Sequence, residues 1–176
     1  RTVERNFRVK LDGYFQINFG GFETAIDRMG GVKIEISGAE ASYINAEVGG
    51  NLSGGMQNLS GKQALSYARI RKLDSDFART GRQRNVIESV LSQGLTGNPQ
   101  RMVDLAQAIL PLMRTNVPQT DLMGHLLGVT GYANYKIDQL MLPIEGSAEV
   151  IYVNGQEMWR TDFGKNVAAL HRFMAE

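Results

Sequence analysis

An α/β domain, with helices packed on both sides of a central mixed β-sheet, is what the sequence predicts, and three observations carry that expectation. Residues 14–19 and Val32–Ile36 alternate apolar and polar side chains, the period of a half-buried strand. Apolar residues at helical spacing recur between and after those strands, at Phe22, Ile26 and Met29 and again at Val86, Ile87, Val90 and Leu91. The chain has 176 residues, 43% hydrophobic and 21% charged, enough to bury one sizeable core, and residues 1–176 read as a single domain.

Taken in order, Val3 and Phe7 are spaced like the tail of an amphipathic helix, and the chain opens without methionine, so a fragment of a longer protein is expected. The strand over 14–19 places Phe15, Ile17 and Phe19 on one face, between Asp12-Gly13 and Gly20-Gly21. A short helix through Met29 then closes on Gly30-Gly31, because glycine takes the left-handed conformation that ends a helix. Val32, Ile34 and Ile36 share one face of the next strand. Residues 37–60, polar and glycine-rich, predict a long loop. A short helix over 61–66 leads to an expected strand at 67–71, then a polar loop and a helix buried through Val86 and its neighbours. Two helices are expected from Met102 to Met113 and from Leu122 to Leu127, strands at 135–142 and 149–153, and a tight turn at Asn154-Gly155 back through residues 156–160. Phe163, Val167, Leu170 and Met174 predict a terminal helix docked on the sheet.

Composition excludes several functions. A net charge of +1 gives no overall field for nucleic acid or a membrane surface. With no cysteine and two histidines, His125 and His171, there is no disulfide, thiolate nucleophile or zinc site, and both histidines read as helix-face residues. No apolar run reaches the ~18 residues of a membrane span.

Charge is instead local. Residues 69–84 hold Arg69, Arg71, Lys72, Arg79, Arg82 and Arg84 against Asp74 and Asp76, a net +4 that leaves the rest of the chain at −3. On a strand, Arg69 and Arg71 would point the same way about 7 Å apart. On the following helix, Arg79, Arg82 and Gln83 fall at i, i+3 and i+4 and cluster on one side. Cations at a helix N-terminus are disfavoured by roughly 0.3 to 1 kcal/mol each unless an anion or carboxylates share the place. Guanidinium groups bind phosphate oxygens bidentately, and four of them match a pyrophosphate. Spacing alone leaves two readings level: an anion site, or a solvated face whose arginines pair with Asp74 and Asp76. Asp27 is equally open, as a partner of the arginines or as the cap of a neighbouring turn.

Tyr67, Arg69, Arg71, Asp76, Phe77, Ala78, Arg79, Arg82 and Gln83, together with Gly13-Tyr14, Phe22, the run from Ile26 to Val32, Leu59-Ser60-Gly61 and Ala64-Leu65, resemble the LytR-CpsA-Psr family. The likeness is close over residues 1–92 and loose beyond. It implies that family's fold with N-terminal strands missing, and a phosphotransferase that attaches a glycopolymer, such as teichoic acid or capsular polysaccharide, from a polyprenyl pyrophosphate carrier to peptidoglycan. Arg69, Arg71, Arg79 and Arg82 would hold the pyrophosphate and stabilise the leaving phosphate, with Asp76 orienting arginines and Gln83 fixing an oxygen or an arginine. The resemblance further implies a divalent metal such as magnesium, held in family members by aspartates of an early strand not matched here, so no metal ligand is assigned. It implies anchoring by an N-terminal helix at the outer face of the cytoplasmic membrane, with peptidoglycan and the lipid-linked polymer as partners and no nucleic acid. Ala78, where glycine is frequent, is a small departure. The same arginines would also serve a non-catalytic envelope module that binds anionic polymers. Arg79→Ala and Arg82→Ala are expected to weaken binding and leave folding nearly intact.

Overall fold

The computed structural model describes residues 1–95, 103, 106–118, 120–122, 124 and 138–175. The α/β class holds, and the chain divides into two compact units, Gly13–Tyr135 and a second built from Arg1–Asp12 with Lys136–Glu176. Where one central mixed sheet was expected, the strands among the described residues pair as three two-stranded antiparallel ladders.

In the larger unit, β1 (Phe15–Ile17) pairs with β4 (Met113–Thr115), so Met113, expected at the end of a helix, lies in a strand after the 3-10 turn Leu110–Leu112. Proline at the start of that turn removes a backbone donor and favours the change. Helix α2 (Phe19–Met29) is capped by Asn18, whose side chain accepts from the Gly21 amide at 2.7 Å. It ends on Gly30 at φ 87°, and Gly31 follows at φ 93°, where a Cβ would lie 2.7 Å from Asn58 Nδ2. Strand β2 (Val32–Ile36) buries Val32, Ile34 and Ile36 and pairs Val32 with Leu59 and Ile36 with Gly55 of β3 (Gly55–Leu59).

Residues 37–60 are thus not a long loop: they hold α3 (Gly38–Val48) as well as β3. Ser37 and Glu40 form a capping box, Glu40 N donating to Ser37 Oγ at 3.2 Å and Ser37 N to Glu40 Oε2 at 2.8 Å. Ala41 and Ile44, three residues apart, turn inward from there. Helix α4 (Gly61–Arg69) also runs three residues further than expected and takes up Tyr67, Ala68 and Arg69, so the strand at 67–71 does not form. Gly61, Ala64 and Tyr67 are buried at helical spacing, and a five-residue alternation is too short to outweigh that face.

Helix α5 (Asp76–Leu95) buries Val86 to 2% and packs Val90 against the core, whereas Ile87 and Leu91 stay 59% and 47% exposed. The core of this unit is Ile26, Val32, Ile34, Ile36, Ile44, Leu59, Tyr67, Ile70 and Val86 with their smaller neighbours. At 0.8 kcal/mol per buried methylene, roughly, this cluster is what holds α2, α3, α4 and α5 to β2 and β3. Residues 106–109 are helical, but most of the two helices expected between 102 and 127, and His125 with them, lie outside the described residues.

In the second unit, α1 (Thr2–Phe7) meets α6 (Phe163–Ala175), with the Phe7 and Phe163 rings edge to face at 5.8 Å and His171 Nε2 3.1 Å from the Phe7 carbonyl oxygen. Fully buried Asn166 anchors α6: its Nδ2 donates to Ser147 Oγ at 2.8 Å and Asp162 O at 2.7 Å, and its Oδ1 accepts from Ile144 N at 2.9 Å. Phe163 and Met174, expected to dock on a sheet, remain 45% and 67% exposed. Strands β5 (Ala148–Val153) and β6 (Gln156–Thr161) form the hairpin, turned by Asn154 at φ 52° and Gly155 at φ 76°. Trp159 lies opposite Val150 in that ladder. Residues 138–142 form no strand, and 135–137 are outside the described residues.

Candidate functional site

The arginine segment folds as a helix end, a turn and a helix start. Arg69 closes α4, where a cation suits the negative end of the helix dipole. Its guanidinium stacks 4.6 Å from the centroid of the Phe19 ring, at the first residue of α2, a contact worth about 0.5 to 1 kcal/mol on an exposed surface. Ile70 leaves the helix with φ −54° and ψ 124°, and its buried side chain pins the turn to the core. Arg71 therefore departs in a direction set by the turn, and the strand argument for a shared face with Arg69 does not apply.

Asp76 opens α5 and gathers two cations: Arg79 Nη1 lies 3.0 Å and Arg71 Nη2 3.8 Å from its Oδ1. Asp76 is 72% exposed and Arg71 68%, so this meeting point faces solvent. Ser75 supports the helix start, its Oγ accepting from Ala78 N at 3.4 Å. Gln83 Nε2 donates to Ala68 O at 3.4 Å and ties α5 to the end of α4. None of Arg69, Arg71, Asp76, Arg79, Arg82 and Gln83 lines either of two clefts of about 640 and 570 Å³ on the same unit.

Arg82 departs from its expected place. Its side chain is 3% exposed, and its Nε donates to Glu40 Oε1 at 2.7 Å, its Nη1 to Ile70 O at 3.1 Å and its Nη2 to Asp74. Burial disfavours the charge of this guanidinium, but the hydrogen bonds and charges of Asp74 and Glu40 outweigh that and hold its pKa above the usual arginine value. A guanidinium so enclosed has no face left for a phosphate, and the expectation that Arg82 is an exposed ligand is corrected. The dipole puzzle at the start of α5 is resolved by carboxylates: Asp76 for Arg79, and Asp74 with Glu40 for Arg82.

Two other residues are placed by the structure alone. Asp27 caps a neighbouring helix, its Oδ1 accepting from Gly61 N at 2.7 Å, which settles the choice left open by the sequence. Tyr67 is a core residue at 2% exposure, its hydroxyl accepting from Asn85 Nδ2 at 3.0 Å. Glu40 was missed because it fell in the expected loop, although Ser37 and Glu40, three apart before Ala41 and Ile44, carry the capping-box signature. Phe19 carried no such signal, since its partner is fifty residues away.

The sequence profile of the LytR_cpsA_psr family matches residues 1–172. The chain belongs to this family. Among curated relatives of the LytR_cpsA_psr family, the polyisoprenyl-teichoic acid–peptidoglycan teichoic acid transferase TagU of Oceanobacillus iheyensis is 34% identical over 155 residues, covering 86% of this chain and 46% of the relative. TagV of Bacillus subtilis, of the same named activity, is 27% identical over 146 residues, 80% of this chain and 37% of its own length. The chain thus spans under half the length of these relatives. Among solved structures, that of B. subtilis TagV superposes with a TM-score of 0.74 at 24% identity, covering 98% of this chain and 66% of that one. A structure of TagT bound to LI-WTA superposes at 0.72 and 21% identity, covering 97% and 64%. These likenesses establish the family fold.

Proposed function

We propose that this chain is part of a transferase that moves a glycopolymer from a polyprenyl pyrophosphate carrier onto peptidoglycan, with Arg69, Arg71 and Arg79 gripping the pyrophosphate. The observation that carries the reading is the convergence of Arg71 and Arg79, from two different segments, on one solvent-facing point at Asp76. The relatives named as teichoic acid transferases support teichoic acid as the polymer. Capsular polysaccharide shares the chemistry of an anionic, carrier-linked glycopolymer.

Magnitudes favour the ligand over Asp76. An exposed ion pair contributes about 0 to 1 kcal/mol, whereas each charge-assisted bond from guanidinium to phosphate contributes about 1.5 to 3 kcal/mol. A pyrophosphate therefore displaces the Asp76 carboxylate and takes both arginines. Asp76 keeps them gathered beforehand, which lowers the cost of ordering two long side chains. In the transfer, an acceptor hydroxyl forms a bond to the polymer-side phosphorus as the bond from that phosphorus to the bridging oxygen breaks. The hydroxyl proton passes to solvent, and polyprenyl phosphate leaves with the electron pair. Arg69, Arg71 and Arg79 meet the negative charge that builds on it. Gln83, held against Ala68, fixes the start of α5 relative to Arg69.

The described residues do not fit the divalent metal that the resemblance implies. Among them no three histidine or carboxylate side chains converge, and Asp74 and Asp76 are committed to arginines. Among the described residues no helix is long and apolar enough to cross a membrane. The reading puts the parent protein at the outer face of the cytoplasmic membrane, where a lipid-linked polymer and peptidoglycan meet.

Calorimetric titration of the chain with a short polyprenyl pyrophosphate tests the proposal. Loss of one arginine that binds the ligand weakens affinity at least about tenfold. Arg71→Ala and Arg79→Ala variants that bind as well as the wild type would remove the site.

A further inference from the structure

Arg82 lies in the basic segment, yet its guanidinium is consumed inside the protein. We propose that Glu40, Arg82 and Asp74 form a positioning clasp, which sets where Arg71 and Arg79 stand and takes no ligand itself. This deepens the pyrophosphate reading and rests on it.

The clasp holds both ends of the turn from which Arg71 springs. Ile70 O, one residue before Arg71, accepts from Arg82 Nη1 at 3.1 Å, and Asp74, two residues before Asp76, accepts from Nη2. Arg79 leaves α5 one turn ahead of Arg82 on the same helix side. The separation of Arg71 and Arg79 is thereby referred to a single rigid group. The third bond gives that group an external reference. Arg82 Nε donates to Glu40 Oε1 at 2.7 Å, while the other oxygen of Glu40 accepts from Ser37 N at 2.8 Å, so the carboxylate is locked at the start of α3. Its side chain is 16% exposed. Three donors at fixed angles in one plane are a property of guanidinium, and a lysine ammonium cannot reproduce them.

Stability alone is a poor reason for this arrangement, because an apolar side chain of similar volume commonly does as well as a buried ion pair. Electrostatics alone argues against it. Two carboxylates around one cation put a net negative charge beside a place that is to receive an anion. Their presence is explained when the geometry they impose is worth more than the repulsion they add.

That opposition supplies the test, because the two effects have opposite signs. Removing one negative charge by Glu40→Gln or Asp74→Asn raises the local potential, so electrostatics predicts tighter anion binding. The clasp predicts weaker binding, by about tenfold, as Arg71 and Arg79 lose register. The experiment is calorimetric titration of the whole chain with inorganic pyrophosphate, below the unfolding midpoint, for wild type, both variants and Arg82→Lys. Hydrogen exchange of residues 70–79 and circular dichroism are recorded on the same samples. The expected result is weaker binding in all three variants, including Arg82→Lys with its charge intact, a retained circular dichroism spectrum and faster exchange over 70–76. Unchanged or tighter binding in Glu40→Gln and Asp74→Asn overturns the clasp. If wild type itself takes up no pyrophosphate, the proposed function fails and exchange decides the clasp alone: wild-type protection over 70–76 in both variants overturns it. Asp74, 39% exposed, is the milder of the two sites should Glu40→Gln compromise folding.

Discussion

Arg79 and Arg82 stand one turn apart on α5, the first with 24% of its side chain exposed and the second with 3%. The sequence treats them alike, since spacing records which side of a helix a residue occupies and not how deep that side lies. Their substitutions should therefore separate. Arg82→Ala leaves the Ile70 carbonyl and a Glu40 oxygen without their partner, and should lower stability by about 3 kcal/mol, read from the urea midpoint. Arg79→Ala removes one pair, to an Asp76 carboxylate that is itself 72% exposed, and should stay within about 1 kcal/mol of wild type. The same variant should lose pyrophosphate affinity. An Arg82→Ala chain as stable as wild type would show that its three hydrogen bonds are dispensable. Asp27 and Tyr67 make the same point: both stand in or near the family motif, and both serve the architecture, Asp27 as a cap and Tyr67 as core.

At the scale of elements, β2 was legible because Val32, Ile34 and Ile36 alternate without exception and one face is buried. Helix α2 was legible through Phe22, Ile26 and the Gly30-Gly31 stop. Helix α3 was hidden because glycines and serines around it outweighed its weak apolar face, although its capping box was in plain sight. The false strand at 67–71 arose from five alternating residues whose true period was that of the preceding helix. Packing of α4 against α2 depends on Gly61, where a Cβ would sit 2.1 Å from the Glu23 carbonyl oxygen. Backbone on the far side cannot yield as a side chain would. Gly61→Ala should cost about 3 kcal/mol, visible as a lowered midpoint in thermal unfolding. It should also move the end of α4, and Arg69 with it, away from Phe19. A neutral outcome would mean the two helices slide apart freely.

Across the molecule as a whole, one buried titratable group links the core to alkaline stability. Burial pushes the Tyr67 hydroxyl above its ordinary pKa of 10.0, and the nearby Glu40 charge adds to this, while the Asn85 hydrogen bond and Arg82 act the other way. The folded chain thus holds the proton more tightly than the unfolded chain. This contribution is fully present below about pH 10 and is lost as pH rises through the folded value. Stability should fall along that limb, and Tyr67→Phe should flatten it, as followed by urea midpoints between pH 9 and pH 11. A limb of equal slope in the variant would assign the loss to other groups.

Residue order alone determined the family, the α/β class and the local concentration of six cations, because motif spacing, apolar period and charge are properties of sequence. It could not determine which cations are free. That depends on Glu40, forty-two residues from Arg82, and on the depth to which α5 sinks into the core. The Glu40–Arg82 pair, the Phe19 stack and the Asp27 cap each join residues distant along the chain, and only packing brings such partners within hydrogen-bonding or stacking distance.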